Sequence, residues 1–229
     1  MFKTEQLAEN VTLYLGDCRE VIPTLGPVNA VITDPPYGIE DIVGNYSRFQ
    51  NDNTDHHILN DKDLSCMVQS FALIKKQFNN IWVAAFYSPR ISREFFSVTM
   101  DMDYYGEIVW DKKILGLGND IRYQHENIGV FKIGEPERVN QTSSVITYLR
   151  VGAEKSRHPH EKPTQVMHKL CSIFPGKVIL DPYMGTGTTG AAAIQLNRGF
   201  IGIELDENYF DLSVKKVSAA LKQPTPFWE

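Results

Sequence analysis

Short runs rich in β-branched and aromatic residues alternate along this chain with stretches in which apolar positions recur every three or four residues. The first pattern predicts buried strands, the second amphipathic helices. Strands are expected at residues 12–15, 28–33, 81–85, 105–110, 127–132, 178–180 and 200–203, and helices near 18–25, 62–78, 92–100, 164–173, 188–196 and 207–222. Strands separated by helices imply a mostly parallel sheet covered by helices, the α/β class. Segments 105–110 and 127–132 follow one another with no helical pattern between them, so they should form an antiparallel hairpin at one edge of the sheet. Residues 38–60 and 134–159 fit neither pattern and exceed ordinary connections, which makes them the loops to search for substrate contacts.

Composition narrows the class. With 229 residues and 42% hydrophobic side chains, the chain is expected to be one domain spanning residues 1–229. Cys18, Cys66 and Cys171 lie far apart, with no CxxC pair, which argues against a disulfide framework or a zinc site and fits a reducing cytoplasm. No apolar run approaches the roughly eighteen residues of a membrane span, and the start does not read as a secretion signal. A net charge of −5 is unpromising for a polyanion-binding protein. Between Arg138 and Lys169, however, Arg138, Arg150, Lys155, Arg157, Lys162 and Lys169 face only Glu154 and Glu161. That stretch is either a basic contact surface or a solvated loop.

The sharpest local signal is Asp34-Pro35-Pro36-Tyr37, where an apolar strand stops abruptly. Two prolines have no N–H donors and fixed φ, so this segment must leave the sheet as a stiff arm. It is either a plain proline turn or a functional site, and its place at a strand's C-terminal end, where open α/β sheets bind ligands, favours the site. The Asp34 carboxylate and the Pro35 carbonyl can together accept both hydrogens of a substrate NH₂, while the Tyr37 ring offers a face for stacking.

A second signal is the strand, glycine turn and Ala-rich helix of residues 178–193, which contains Asp181-Pro182 and then Gly185-Thr186-Gly187-Thr188-Thr189. Gly185 and Gly187 permit close backbone approach to a ligand, and the helix start presents free N–H groups. The spacing is neither that of a dinucleotide fingerprint nor that of a phosphate-cradling loop. Roughly twenty residues on, Glu204 ends the next strand, a position from which a carboxylate typically accepts from a ribose diol; Asp206 follows it.

Taken together, Asp34-Pro35-Pro36-Tyr37, residues 181–189 and residues 202–210 resemble the amino-methyltransferases that modify DNA at adenine N6 or cytosine N4. The catalytic tetrapeptide precedes the cofactor turn, the permuted order of the family's beta group. Asp17 and Cys18 look like part of the segment that contacts the cofactor's adenine. His160-Glu161-Lys162-Pro163 resembles the element beside its methionine portion. Residues 108–112, followed by His125-Glu126, resemble the hairpin near the target base. The resemblance runs from about Leu15 to Tyr209.

It implies a Rossmann-like methyltransferase fold with a seven-stranded, mostly parallel sheet, permuted chain order and S-adenosylmethionine as cofactor. Asp34, Pro35, Pro36 and Tyr37 would be catalytic. Asp17, Cys18, Asp34, Lys162, Pro163, Asp181, Pro182, Gly185, Thr186, Gly187, Thr188, Thr189, Glu204 and Asp206 would hold the cofactor. Trp110, Lys112, Arg122, Arg138, Arg150, Lys155 and Arg157 would face double-stranded DNA, although Trp110, Lys112 and Arg122 read equally well as sheet-edge packing and surface charge. The favoured target is adenine N6 in a flipped-out base, because cytosine-N4 members more often carry Ser where this chain has Asp34. The alternatives are cytosine N4 and a catalytically silent DNA- or cofactor-binding protein. His158 and His160 lack partners for a metal set, and no metal is expected. The span available for target recognition is short, which would suit a homodimer. A prokaryotic or phage-infected cytoplasm, with or without a paired restriction enzyme, fits this family.

Overall fold

A computed structural model describes residues 2–36, 64–116, 121–149 and 161–223. Among them, nine strands form one mixed sheet: β1 (Lys3–Ala8), β2 (Val11–Leu15), β3 (Ala30–Thr33), β4 (Ile81–Tyr87), β5 (Asp103–Asp111), β6 (His125–Ile133), β7 (Val145–Thr147), β8 (Val178–Asp181) and β9 (Gly199–Glu204). Their spatial order is β1-β2-β9-β8-β3-β4-β6-β5-β7. The helices are α1 (Cys18–Val21), α2 (Ser65–Gln77), α3 (Ser92–Thr99), α4 (Thr164–Ile173), α5 (Thr188–Gln195) and α6 (Glu207–Lys222).

Every strand and helix expected from the periodicity is present, but the expected strand count of seven becomes nine. β1 was hidden because its sequence, KTEQLA, is mostly polar; it pairs antiparallel with β2 at the sheet's edge, where little of it is buried. β7 is three residues long with only Ile146 buried, and it pairs parallel with β5. The β5–β6 hairpin is antiparallel as expected, yet β7 lies outside it.

Alternating side chains of the central strands feed two cores. On β4, Trp82, Ala84 and Phe86 pack with Met167 and Leu170 of α4, Ala192 of α5 and Val217 of α6. Ile81, Val83, Ala85 and Tyr87 point the other way, against Met67 and Phe71 of α2 and Phe95 of α3. Both faces of the sheet are therefore dry, which accounts for the near-continuous apolar runs of these strands.

Five neighbouring strands, β2, β9, β8, β3 and β4, run parallel. The chain passes outward from β8 to β9 in one direction and from β3 to β4 in the other. The boundary between β8 and β3 is thus a topological switch point, and in open α/β sheets the crevice beyond the strand C-termini at such a point is where ligands bind.

Candidate functional site

The two strands flanking the switch point end in carboxylates, Asp34 just past β3 and Asp181 at the end of β8. Asp181 is 3% exposed and wholly engaged in structure. Its Oδ1 accepts from the Thr33 hydroxyl at 2.8 Å and from the Tyr183 N–H at 3.1 Å, and its Oδ2 from the Thr189 hydroxyl at 2.6 Å. It ties β3, the glycine turn and the start of α5 together. Burial raises its pKa to about 6 despite those donors.

Between Asp181 and α5 the backbone turns through Gly185 (φ +52°) and Gly187 (φ +81°), conformations that favour glycine. The two glycines serve different ends. A Cβ at Gly187 would lie 2.9 Å from Cβ of Ser213 on α6, so this glycine permits close helix packing. A Cβ at Gly185 would meet nothing within 4 Å, so this glycine keeps the concave face of the turn open.

Glu204, at the end of β9, braces the same turn. Its Oε2 accepts from the Gly185 N–H at 2.9 Å, and its Oε1 from the N–H groups of Leu205 and Asp206, each at 2.9 Å. A carboxylate has about four lone-pair sites, so these three bonds leave acceptor capacity for a further hydroxyl. Burial raises its pKa. The open turn and this acceptor suit a ribose-bearing ligand, and the site fits S-adenosylmethionine in that respect.

Asp206 and Asp17 reach the same sheet edge, but their carboxylates cap helices. Asp206 accepts from the N–H groups of Asn208 and Tyr209 at the start of α6. Asp17 accepts from the Arg19 N–H and ion-pairs with its guanidinium at 2.5 Å, which holds its pKa down. Cys18 beside it is buried.

Asp34 meets a partner that its surrounding sequence did not suggest. The Lys162 ammonium lies 2.6 Å from Asp34 Oδ2 and 2.9 Å from Glu126 Oε2. It also sits 5.0 Å from the centroid of the Phe86 ring, in cation–π range. Glu126 Oε1 in turn accepts from Lys112 Nζ at 3.1 Å. Burial opposes the Lys162 charge, but the two carboxylates more than offset it and hold the ammonium above the ordinary lysine range. Burial likewise opposes the Glu126 charge, and the two lysines override it, drawing the carboxyl down to about 2.

A second cluster sits at the glycine turn. Lys216 of α6 contacts Glu161 and donates to the hydroxyls of Thr186 (3.0 Å) and Thr188 (3.1 Å), which also approach Glu161 Oε1. Through Glu161, the Lys162-Pro163 segment is fastened to the turn.

The structure therefore gathers Asp17, Asp34, Pro35, Lys162, Asp181, Pro182, the turn from Gly185 to Thr189 and Glu204 along one sheet edge. Tyr37, residues 38–63, Arg150, Lys155, Arg157, and the histidines at 56, 57, 158 and 160 lie outside the described residues. Three side chains expected to face DNA contact the protein itself. Trp110 is buried, with its indole N–H donating to the Tyr148 carbonyl; Lys112 is buried on Glu126; Arg122 is exposed near the hairpin tip and donates to the Gly116 carbonyl. Arg138 follows the C-terminal end of β6, which the antiparallel register with β4 places at the opposite edge from Asp34. Among the described residues no group of His, Cys, Asp and Glu is arranged to hold a metal.

Sequence reasoning placed Glu126 in the hairpin near the target base and Glu161 in the element beside the cofactor's methionine portion but gave neither a partner, and it gave no role to Phe86 or Lys216. A signal existed for Lys216: it lies on the helical stripe of Ser213, Val217 and Ala220, all buried, where a lysine is out of place without a partner.

Against known proteins, the model of the DNA methylase family, which covers N6 and N4 enzymes, matches residues 28–215. The chain belongs to the N6/N4 DNA methylase family. It is 28% identical over 213 residues to YubD of Escherichia coli (strain K12), a protein whose name describes an inferred methylase, covering 89% of this chain and 88% of that one. Its identity to the type II methyltransferase M.HinfI of Haemophilus influenzae is 24% over 250 residues, covering 93% and 70% of the two chains. Among solved structures, the complex of M1.HpyAVI with SAM superposes with a TM-score of 0.66 at 25% identity, covering 90% of this chain and 98% of that one. As a DNA methyltransferase the chain has the Rossmann-like α/β fold of its relatives, with two further edge strands on the expected seven. No helix among the described residues is long and apolar enough to cross a membrane.

Proposed function

We propose that this DNA methyltransferase transfers a methyl group from S-adenosylmethionine to N6 of an adenine flipped out of double-stranded DNA, with Asp34 and Pro35 as the groups that receive the target amine. The observation that carries this reading is the position of Asp34 at the switch point, one strand away from the open Gly185 turn and two from Glu204. Acceptors for a base amine and for a ribose diol thus stand side by side at one sheet edge.

Bound S-adenosylmethionine supplies an electrophilic methyl group on a sulfonium. An exocyclic amine is a weak nucleophile because its lone pair is delocalised into the ring. Asp34 and the Pro35 carbonyl, by accepting both amino hydrogens, would localise that pair and stabilise the positive charge that develops on nitrogen. The nitrogen gains the methyl carbon, the C–S bonding pair stays with sulfur, and the nitrogen then sheds one proton, for which the Asp34 carboxylate is the nearest proposed acceptor. Holding the reactants at near-attack distance contributes on the order of 7–11 kcal/mol, more than any single hydrogen bond. Flipping the base costs a few kcal/mol, offset by stacking and backbone contacts, with Tyr37 the proposed stacking partner.

The test is mass spectrometry of nucleosides from unmethylated DNA incubated with the protein and S-adenosylmethionine. N6-methyladenine should form, and Asp34→Ala should slow its formation by at least about 10²-fold while cofactor binding persists. N4-methylcytosine would keep the chemistry and overturn the base, whereas wild-type turnover by Asp34→Ala would overturn the role of Asp34.

A further inference from the structure

Lys112, Glu126, Lys162 and Asp34 form a row of alternating charges that runs from the β5–β6 hairpin to the Asp34 arm, with contacts of 3.1, 2.9 and 2.6 Å. Asp34 is the member nearest the proposed substrate, and Glu126 stands two places behind it. We infer that Glu126 is a positioning residue for methyl transfer: from its fixed place on β6 it holds the Lys162 ammonium against Asp34 and balances that ammonium's charge. The inference rests on the reading of Asp34 given above.

Three features support it. First, the ammonium is ion-paired to both Asp34 and Glu126 and lies over the Phe86 ring, so two of its three neighbours, Glu126 on β6 and Phe86 on β4, stand on strands of the sheet. A group that must hold Asp34 within a fraction of an ångström benefits from such anchoring. Second, the charges cancel in the row of four. Removing Glu126 would leave a net positive charge beside the place where positive charge passes from sulfur to nitrogen. Third, a partly buried ion-pair row is a poor device for stability, because desolvation consumes most of its Coulombic gain.

Among the described residues, Asp181 lies behind Thr33, and His125 takes the opposite face of β6, with its ring against Tyr123 at 5.7 Å.

The experiment uses Glu126→Gln, which keeps shape and removes charge, and Glu126→Asp, which keeps charge and withdraws the carboxylate from Lys162 by one methylene. On each, the single-turnover methylation rate is measured beside the calorimetric S-adenosylmethionine affinity. In Glu126→Gln the rate should drop by about 10²-fold, far more than the cofactor affinity changes. In Glu126→Asp the rate should fall as well, with the affinity again little changed. A wild-type rate in Glu126→Gln, or an affinity loss as large as the rate loss, would overturn the inference; if that variant does not fold, a wild-type rate in Glu126→Asp overturns it instead. Loss of activity in Asp34→Ala with none in Glu126→Gln sinks this inference alone, while an active Asp34→Ala sinks the reading beneath it.

Discussion

Asp34, Asp181 and Glu204 stand where three neighbouring strands end at one sheet edge, and their surroundings give them different work. Asp181 spends its oxygens on Thr33, Tyr183 and Thr189 and is a fastener of the turn. Glu204 spends three bonds on backbone N–H groups and retains capacity toward the open side of the turn. Replacing Glu204 by Ala should weaken S-adenosylmethionine binding by at least about tenfold, the value of one charge-assisted hydrogen bond. Because burial raises the Glu204 pKa, wild-type affinity should decline as the pH falls through a range above that of ordinary glutamate, whereas the variant should show no such decline. Calorimetry across pH decides it, and equal affinity in the two proteins would remove Glu204 from the site. Asp34 and Glu204 were legible in the sequence because each ends an apolar strand beside a local signal, the two prolines or the glycine turn. The ion pairs of Glu126 were not, since Lys112 and Lys162 are joined to it only by the folding of the hairpin beside the Asp34 arm.

The elements that carry these residues were read from periodicity where they are buried and missed where they are not. β4 and β8 are covered on both faces and announce themselves as apolar runs, while β1 and β7, at the two edges, have too few buried positions to leave a pattern. The same distinction between inward and outward demands separates the two glycines of the turn. Gly187→Ala would place a methyl group on Ser213 in a left-handed conformation, and should destabilise the protein by about 1–3 kcal/mol. Gly185→Ala carries backbone strain but meets no neighbour, so its methyl group would enter the ligand's side of the turn. Its cost in S-adenosylmethionine affinity should exceed its cost in melting temperature, and the reverse order should hold for Gly187→Ala. Thermal denaturation beside calorimetry of both variants tests the assignment; a Gly185→Ala protein with wild-type affinity would place the ligand elsewhere.

At the scale of the whole molecule, the site's charges enter folding stability with opposite signs. Glu126 is drawn from an ordinary 4.5 down to about 2 in the folded protein, so its contribution is present above the unfolded value and is lost as the pH falls toward 2. Asp181 is raised from 3.8 to about 6, so the stability it contributes is complete below about 4 and is lost as the pH rises through 6. The Asp181 shift corresponds to roughly 3 kcal/mol at 1.4 kcal/mol per pKa unit, while the gain at Glu126 is offset in large part by the desolvation of the lysines that cause it. The raised pKa of Lys162 expresses the same ion pairs from the other side and adds no independent amount. Stability should therefore climb from pH 2 to about 4.5 and decline from there to about 6, above which a charged, buried Asp181 is carried as a standing cost. Asp181→Asn, which can still accept from Thr33 and Tyr183, should flatten the decline between pH 4 and 6, and Glu126→Gln should flatten the climb below it. Chemical denaturation of the three proteins across that range measures both slopes, and a decline that persists unchanged in Asp181→Asn would show that some other group carries it.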